Sequence, residues 1–136
     1  MPLTGYRILQ QGSGVALDYC GKIFADFGAD VVKLEPLGGD PLRTMPPVLA
    51  NGESGLFAWL NTNKKSVTET PANLDALLPG ADVLLTERTR PDLTARYPGL
   101  AVTAIDWFGE NGPYSNFAGT ESIARALAGL VALTGP

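Results

Sequence analysis

Hydrophobic residues at the start of the chain first form a short run and then recur at helical spacing. Residues 6–9 precede the turn Gly12-Ser13-Gly14, which is typical of a strand that ends in a glycine-rich turn. From residue 15 to 27 apolar positions recur every three or four residues, and Gly28 stands where a helix C-cap is expected. Residues 30–35 are rich in valine and predict a second strand. These elements predict a right-handed β-α-β unit with parallel strands.

The rest of the chain continues this alternation around irregular segments. Residues 36–55 are dense in proline and glycine, which indicates an ordered loop without a long element. The remaining segments are an apolar stretch at 56–60, a polar turn at 61–66, a short helix at 71–78, buried-type strands at 82–86 and 100–105, an aromatic and glycine-rich loop at 107–114, and helical spacing at 121–133 that a closing Gly-Pro ends. We therefore predict one α/β domain over residues 1–136, with a Rossmann-like parallel sheet and flanking helices.

Composition narrows the class of protein. The 136 residues are 45% hydrophobic and 18% charged, which is enough apolar material for one folded domain. Ten basic and fourteen acidic residues give a net charge of -4, so nucleic-acid binding is not expected. The chain has no run of about 18 apolar residues, and its first residues lack the pattern of a signal peptide. We expect a cytoplasmic protein that does not bind membranes.

The chemistry available to the chain is restricted. It contains no histidine, which excludes Ser-His and Cys-His pairs and most zinc sites. Cys20 is the only cysteine, and it lies in the apolar pattern of the first helix, where a small buried side chain is expected. No catalytic residue and no metal ligand is predicted. Surface solvation is expected for the aspartates that show no paired spacing, which are Asp18, Asp30, Asp40, Asp82 and Asp106.

Two features could serve an anionic ligand. The turn Gly12-Ser13-Gly14, with Glu35 at the end of the second strand, imitates a dinucleotide-binding fingerprint, although Leu17 replaces its third glycine. A plain strand-to-helix turn is the alternative. The cations Arg43, Lys64 and Lys65 could bind phosphates, or they could be solvated loop residues.

A series of motifs resembles, in the same order, the family III coenzyme A transferases of the CaiB/BaiF and formyl-CoA transferase type. The resemblance covers nearly the whole chain. It lies in Cys20-Gly21-Lys22, residues 24–36 (FADFGADVVKLEP), Gly38-Gly39-Asp40-Pro41-Leu42-Arg43, residues 57–61 and 63–67, residues 81–85, Gly109-Glu110-Asn111-Gly112-Pro113-Tyr114 and Leu133-Thr134-Gly135-Pro136.

This resemblance implies a function and a site. In that family the N-terminal Rossmann-like half binds coenzyme A, two subunits interlock, and an aspartate carries the acyl group as a mixed anhydride. By position, that aspartate would lie beyond the end of this chain. The resemblance implies no permanently bound cofactor, a coenzyme A thioester as substrate, and a homo-oligomer or a companion polypeptide with the rest of the fold. The implied coenzyme contacts are Ser13, Gly14, Val15, Ala16, Pro36, Arg43, Asn63, Lys64 and Lys65.

The chain also departs from the family pattern. Residues 86–88 (Thr-Glu-Arg) replace an acidic-Asn-Phe triplet, and the following Pro-Gly is disrupted around Arg90. Glu69 and Thr70 replace a leucine and an aspartate, and Thr120 stands where the related racemases have a histidine base. Three hypotheses follow: part of an acyl-CoA transferase, a non-catalytic domain that serves binding or scaffolding, or a dinucleotide-binding Rossmann domain.

Overall fold

The computed structural model describes residues 1–133 of the chain. Its contacts form two compact units, Met1–Ile105 and Asp106–Pro136. The helix stop and family motif predicted at residues 134–136 lie outside the described part.

The first unit is built on one five-stranded parallel sheet, which confirms the predicted fold class. Its strands are β1 (Arg7–Gln11), β2 (Asp30–Glu35), β3 (Lys65–Thr68), β4 (Val83–Thr86) and β5 (Ala101–Ala104). They lie in the order β3-β2-β1-β4-β5, and Leu9 of β1 is in register with Val32 and Leu84. The chain thus adds β2 and β3 on one side of β1 and then places β4 and β5 on the other side of β1.

Helices lie between the strands of the first unit: α1 (Val15–Asp26), α2 (Gly55–Leu60), α3 (Pro71–Leu77) and α4 (Pro91–Arg96), with 3₁₀ turns at Pro41–Thr44 and Leu78–Gly80. The second unit contains α5 (Glu121–Leu127) and α6 (Leu130–Leu133), which follow the last strand in the chain. Ser54, Thr70 and Thr120 cap α2, α3 and α5, because each side-chain oxygen accepts a hydrogen bond from the N–H three residues later. After α1, Gly28 has the positive φ of 99° that makes glycine favourable there.

Two apolar clusters cover the two faces of the sheet. Successive strand residues point to opposite faces, so Ile8 belongs to one cluster and Leu9 to the other. The first cluster packs beneath α1 through Leu17 and Ala25, and the second contains Leu78 and residues of the α4 region. The β-α-β unit predicted from the first 35 residues is therefore the centre of the core.

The structure differs from the prediction in several elements. Lys65 and Ser66 begin strand β3, although they were assigned to a polar turn. This edge strand is largely exposed, so it lacks the apolar run that marks a central strand. Helix α4 was not predicted, and the helical pattern from 121 to 133 is interrupted at Gly129, whose φ is 74°.

Candidate functional site

The order in which the chain adds strands to the sheet reverses next to β1. In parallel α/β sheets, ligands bind outside the carboxyl ends of the strands where the strand order reverses, and here that point lies between β1 and β4. Gly12 and Gly14 follow β1 with φ values of 113° and 112°, which favour glycine at both positions. Gly14 is the N-cap of α1 and has no side chain that could cap the helix. The first N–H groups of α1, at the carboxyl edge of the sheet, therefore have no side-chain cap.

Glu87 occupies the open side of this turn. It follows β4 directly, and a Cβ built on Gly12 would lie 2.9 Å from its Cγ and 3.0 Å from its Oε2. The glutamate side chain therefore packs on the backbone of Gly12. A carboxylate thus stands beside the glycine turn.

A cleft of about 540 Å³ opens on the same edge. Glu69 Oε1 accepts a hydrogen bond from Gln11 Nε2 at 2.6 Å, and Gln11 Oε1 accepts one from Arg90 Nη1 at 3.1 Å. Arg90 also pairs with Asp92 at 2.9 Å and lines a second cleft, of about 490 Å³, beside α4. The larger cleft therefore combines a polar strip with apolar walls, and its lining residues are Gln11, Pro36, Leu37, Glu69, Thr70, Pro71, Leu74 and Arg90.

Five of the nine predicted contact residues form the turn after β1 or line the larger cleft, and Arg43 also lies at the carboxyl edge, bonded to Glu35 at the end of β2. Ser13, Gly14, Val15 and Ala16 form the turn after β1 and the start of α1, and Pro36 follows β2 and lines the larger cleft. Val15 is 50% exposed, so its surroundings remain open to a ligand. The structure brings these five residues to one edge of the sheet.

The two lysines and Asn63 lie elsewhere. Lys65 Nζ pairs at 2.6 Å with Asp30, the first residue of β2, and Asn63 Nδ2 donates to Asp26 at the end of α1 at 3.1 Å. These contacts put both residues at the amino edge. Lys64 Nζ donates to Gln10 Oε1, the backbone oxygen of Asp18 and Asn61 Oδ1 at 2.7 to 2.9 Å, and burial lowers its pKa to about 8. Asn63 and Lys65 are therefore away from the turn after β1, whereas the buried ammonium of Lys64 reaches the first turn of α1 from inside the fold.

Arg43 is engaged by two neighbours. Its Nε and Nη2 donate to the two carboxylate oxygens of Glu35 at 2.7 and 2.8 Å, and its guanidinium carbon lies 4.1 Å from the centre of the Phe57 ring. Glu35 also accepts from the N–H of Asp40 and from Ser66. Led by the Arg43 pair, these contacts lower the pKa of Glu35 from 4.5 to about 2. The charge of Arg43 therefore holds the loop after β2 in place.

The Glu35–Arg43 pair predicts a pH dependence of stability. Because the pKa of Glu35 is lower in the folded chain, its contribution is complete above about pH 4.5 and is lost as the pH falls towards about 2. We expect Arg43→Gln to lower the free energy of unfolding by about 1–2 kcal/mol at pH 7 and to flatten its decrease between pH 4.5 and 2.

Urea unfolding at several pH values measures this effect. Arg96→Gln is the matched control, because Arg96 meets Asp75 only at 3.4 Å on an exposed surface. A steep acid dependence that persists in Arg43→Gln would show that Arg43 does not set the pKa of Glu35.

Comparison with known proteins identifies the family. The sequence model of CoA-transferase family III matches residues 3–136. The chain belongs to CoA-transferase family III. The succinyl-CoA–D-citramalate CoA-transferase of Chloroflexus aurantiacus is 38% identical and is matched over 98% of this chain. The succinyl-CoA–L-malate CoA-transferase alpha subunit of the same organism is 36% identical over 99% of this chain.

A solved structure agrees with this assignment. The crystal structure of the hypothetical protein Rv3272 from Mycobacterium tuberculosis superposes with a TM-score of 0.80 and 31% identity, covering 95% of this chain. The match spans 40% of that structure, and 38% and 36% of the two Chloroflexus proteins. This family III chain thus corresponds to well under half the length of its relatives.

A buried ion cluster beside β2 was missed by the sequence analysis. Lys33 contacts both Asp18 of α1 and Asp40 of the following loop, the latter at 2.6 Å, and all three side chains are at most 1% exposed. The expectation that Asp18 and Asp40 are solvated was therefore wrong. A lysine within a buried-type strand was the available signal, since an interior charge needs partners. In this family III chain the cluster links β2, α1 and the loop 36–44 beneath the carboxyl edge.

Within residues 1–133, no group of three or more cysteine, aspartate or glutamate side chains is arranged to hold a metal ion. None of the helices in this part of the chain has the length and apolar character needed to cross a bilayer.

Proposed function

We propose that this chain is the coenzyme A-binding N-terminal part of an acyl-CoA transferase, as a domain or as a separate subunit. It would hold the coenzyme while acyl groups move between carboxylic acids through an aspartyl mixed anhydride. The aspartate would come from polypeptide outside this chain. The family membership supports coenzyme A transfer as the chemistry.

The observation that carries the proposal is the cleft at the strand-order reversal. Its residue Pro36 lies on the same edge as the turn from Gly12 to Ala16, where glycines and the N-terminus of α1 expose backbone N–H groups. Such a helix N-terminus favours a pyrophosphate, because its unpaired N–H groups and dipole attract negative charge. Arg90 supplies a cation to the cleft, and Leu37 and Leu74 supply apolar walls.

In this proposal, the chain binds the coenzyme and polypeptide outside the chain supplies the reacting aspartate. When a carboxylate attacks the thioester carbonyl, the coenzyme thiolate leaves and an anhydride remains on the aspartate. The thiolate would then attack the aspartyl carbonyl of the anhydride, which releases the donor acid as a carboxylate and leaves an aspartyl thioester. The acceptor carboxylate would expel the thiolate to form a second anhydride, and the thiolate would attack its acceptor carbonyl to give the new thioester and the free aspartate. The coenzyme must stay bound through these steps, so retention of its nucleotide end is the contribution proposed for this chain. One relative is named as an alpha subunit and another as a beta subunit, which supports a companion polypeptide or an oligomer.

A non-catalytic domain is the second candidate. The observation that favours it is the pair of carboxylates at the carboxyl edge, Glu69 in the cleft and Glu87 on Gly12. Both would repel the phosphates of coenzyme A. In this case the domain would keep the family fold as a binding or scaffolding unit without holding the coenzyme.

Removing the charge of Arg90 distinguishes these candidates. We expect Arg90→Gln to weaken coenzyme A binding about fivefold to tenfold at low salt, because a cation beside the phosphates is lost. Isothermal titration calorimetry measures the dissociation constants. Arg7→Gln is the matched control, since Arg7 lies at the amino end of β1 beside Asp30, and it is expected to bind like the wild type.

Absence of binding by the wild type at millimolar coenzyme A would favour the non-catalytic candidate. Equal weakening by Arg90→Gln and Arg7→Gln would show that the coenzyme does not occupy this cleft.

Reconstitution tests the transferase activity itself. The chain would be mixed with the part of the Chloroflexus citramalate enzyme that it does not match, and transfer from succinyl-CoA to D-citramalate would be followed. Transfer that needs both polypeptides is the expected result. A stable complex without transfer would contradict the proposal that this chain serves catalysis.

A further inference from the structure

Glu69 is fixed at the nucleotide side of the cleft. Its backbone N–H donates to the carbonyl of Glu35 at 2.6 Å, which ties the end of β3 to the end of β2. Its carboxylate reaches across to Gln11 at the end of β1. The cleft runs from Gln11 at the end of β1 past Pro36 to Glu69, so a pyrophosphate at the turn after β1 would leave the nucleoside over the ends of β2 and β3. Glu69 therefore lines the part of the cleft that the nucleoside would occupy.

The local charges are predominantly negative. The cleft is lined by one cation, Arg90, and one anion, Glu69, and Arg90 is already paired with Asp92. Glu87 adds a further carboxylate on the adjoining turn. A ligand phosphate near Glu69 would thus meet the repulsion of these carboxylates, and the one lining cation, Arg90, is shared with Asp92.

Carboxylates near a ribose affect nucleotide choice. In dinucleotide-binding folds, an acidic residue about 20 residues after the glycine turn hydrogen-bonds a ribose hydroxyl, whereas an arginine nearby accommodates a ribose phosphate. Glu35 has this spacing here but is paired with Arg43, and Glu69 is the neighbouring carboxylate that lines the cleft. Coenzyme A carries a phosphate on the 3′ oxygen of its ribose. The same physical rule applies to that phosphate, because the charges that meet are the same.

We propose that Glu69 is a specificity-determining residue that selects against the 3′-phosphate of coenzyme A. The cleft then binds 3′-dephospho-coenzyme A more tightly than coenzyme A. This inference rests on the proposed function, since it assumes that the nucleotide end of a coenzyme A thioester occupies the cleft.

The test compares two ligands on three proteins. Isothermal titration calorimetry of coenzyme A and 3′-dephospho-coenzyme A would be run on the wild type, Glu69→Gln and Glu53→Gln. Glutamine keeps the shape of Glu69 and can still bond to Gln11. Glu53 lies in an exposed loop, bonded to Asn51, and is not part of the cleft lining. Thermal unfolding would verify that all three proteins are folded.

The wild type and Glu53→Gln are expected to prefer the dephospho ligand about fivefold at low salt. For Glu69→Gln the two dissociation constants are expected to agree within about twofold, mainly because coenzyme A binds more tightly. In 0.5 M salt the wild-type preference should shrink.

The test separates a failure of the role proposed for Glu69 from a failure of the proposed function. Equal affinity of the wild type for both ligands, or a preference that Glu69→Gln retains, would overturn the role of Glu69 and leave the proposed function standing. If neither ligand binds the wild type, the proposed function is contradicted, and the inference fails with it.

Discussion

Replacement of Lys33 by methionine is expected to lower the free energy of unfolding by about 3–5 kcal/mol. The Lys33 side chain is 1% exposed and contacts the buried carboxylates of Asp18 and Asp40. Methionine fills a similar volume but leaves both carboxylates without their cation in a medium of low polarity. Urea denaturation at pH 7, followed by circular dichroism, measures the change.

Lys65→Met is the matched control for this substitution. Lys65 also pairs with an aspartate, Asp30, at 2.6 Å, but its side chain is 69% exposed. Exposed pairs contribute about 0–1 kcal/mol, so the control should remain close to the wild type. Similar losses for the two variants would contradict the buried character of the Lys33 cluster.

Replacement of Gly21 by alanine should destabilise the protein by about 2–3 kcal/mol, because it overpacks the interior and displaces a buried polar group. Alanine usually favours a helix over glycine, and Gly21 is in the middle of α1. Here, however, the added Cβ would lie 2.3 Å from Gln10 Oε1 and 3.1 Å from Lys64 Nζ. Gln10 is completely buried and bonded to Asp18 and Lys64. Its displacement would leave polar groups unsatisfied in the interior.

Gly99→Ala provides the control for Gly21→Ala. No atom lies within 4 Å of a Cβ at Gly99, so alanine there should be neutral or slightly stabilising. Thermal unfolding of both variants is the measurement. A Gly21→Ala protein as stable as the wild type would show that the contact between α1 and Gln10 is not tightly packed.

The elements predicted best from the sequence are those with strong local patterns. Helix α1 and strand β2 were located almost to the residue, because helical spacing and a β-branched run are local properties. Strand β3 was missed because it is a short exposed edge strand whose pairing with β2 is set by the fold. Local pattern therefore identified the centre of the sheet better than its edge.

Only part of the candidate site could be predicted from the sequence. The resemblance to family III implied contacts at the turn after β1 and at Pro36, and both lie at the edge where the parallel strands end. The lysines could not be placed in this way. Lys64 lies just before β3 and points inward to Gln10 and Asp18, which are 54 and 46 residues away in the chain. Such contacts depend on tertiary packing, which the composition of a loop does not reveal.

The most direct test of the central claim is the location of bound coenzyme A on the folded chain. Titration of the ¹⁵N-labelled protein with coenzyme A would identify the backbone amides whose NMR signals shift. We expect the largest shifts at Gly12, Ser13, Val15, Glu69 and Arg90, around the cleft at the carboxyl edge. Shifts confined to Asn63, Lys64 and Lys65, or the absence of shifts at millimolar ligand, would contradict the claim.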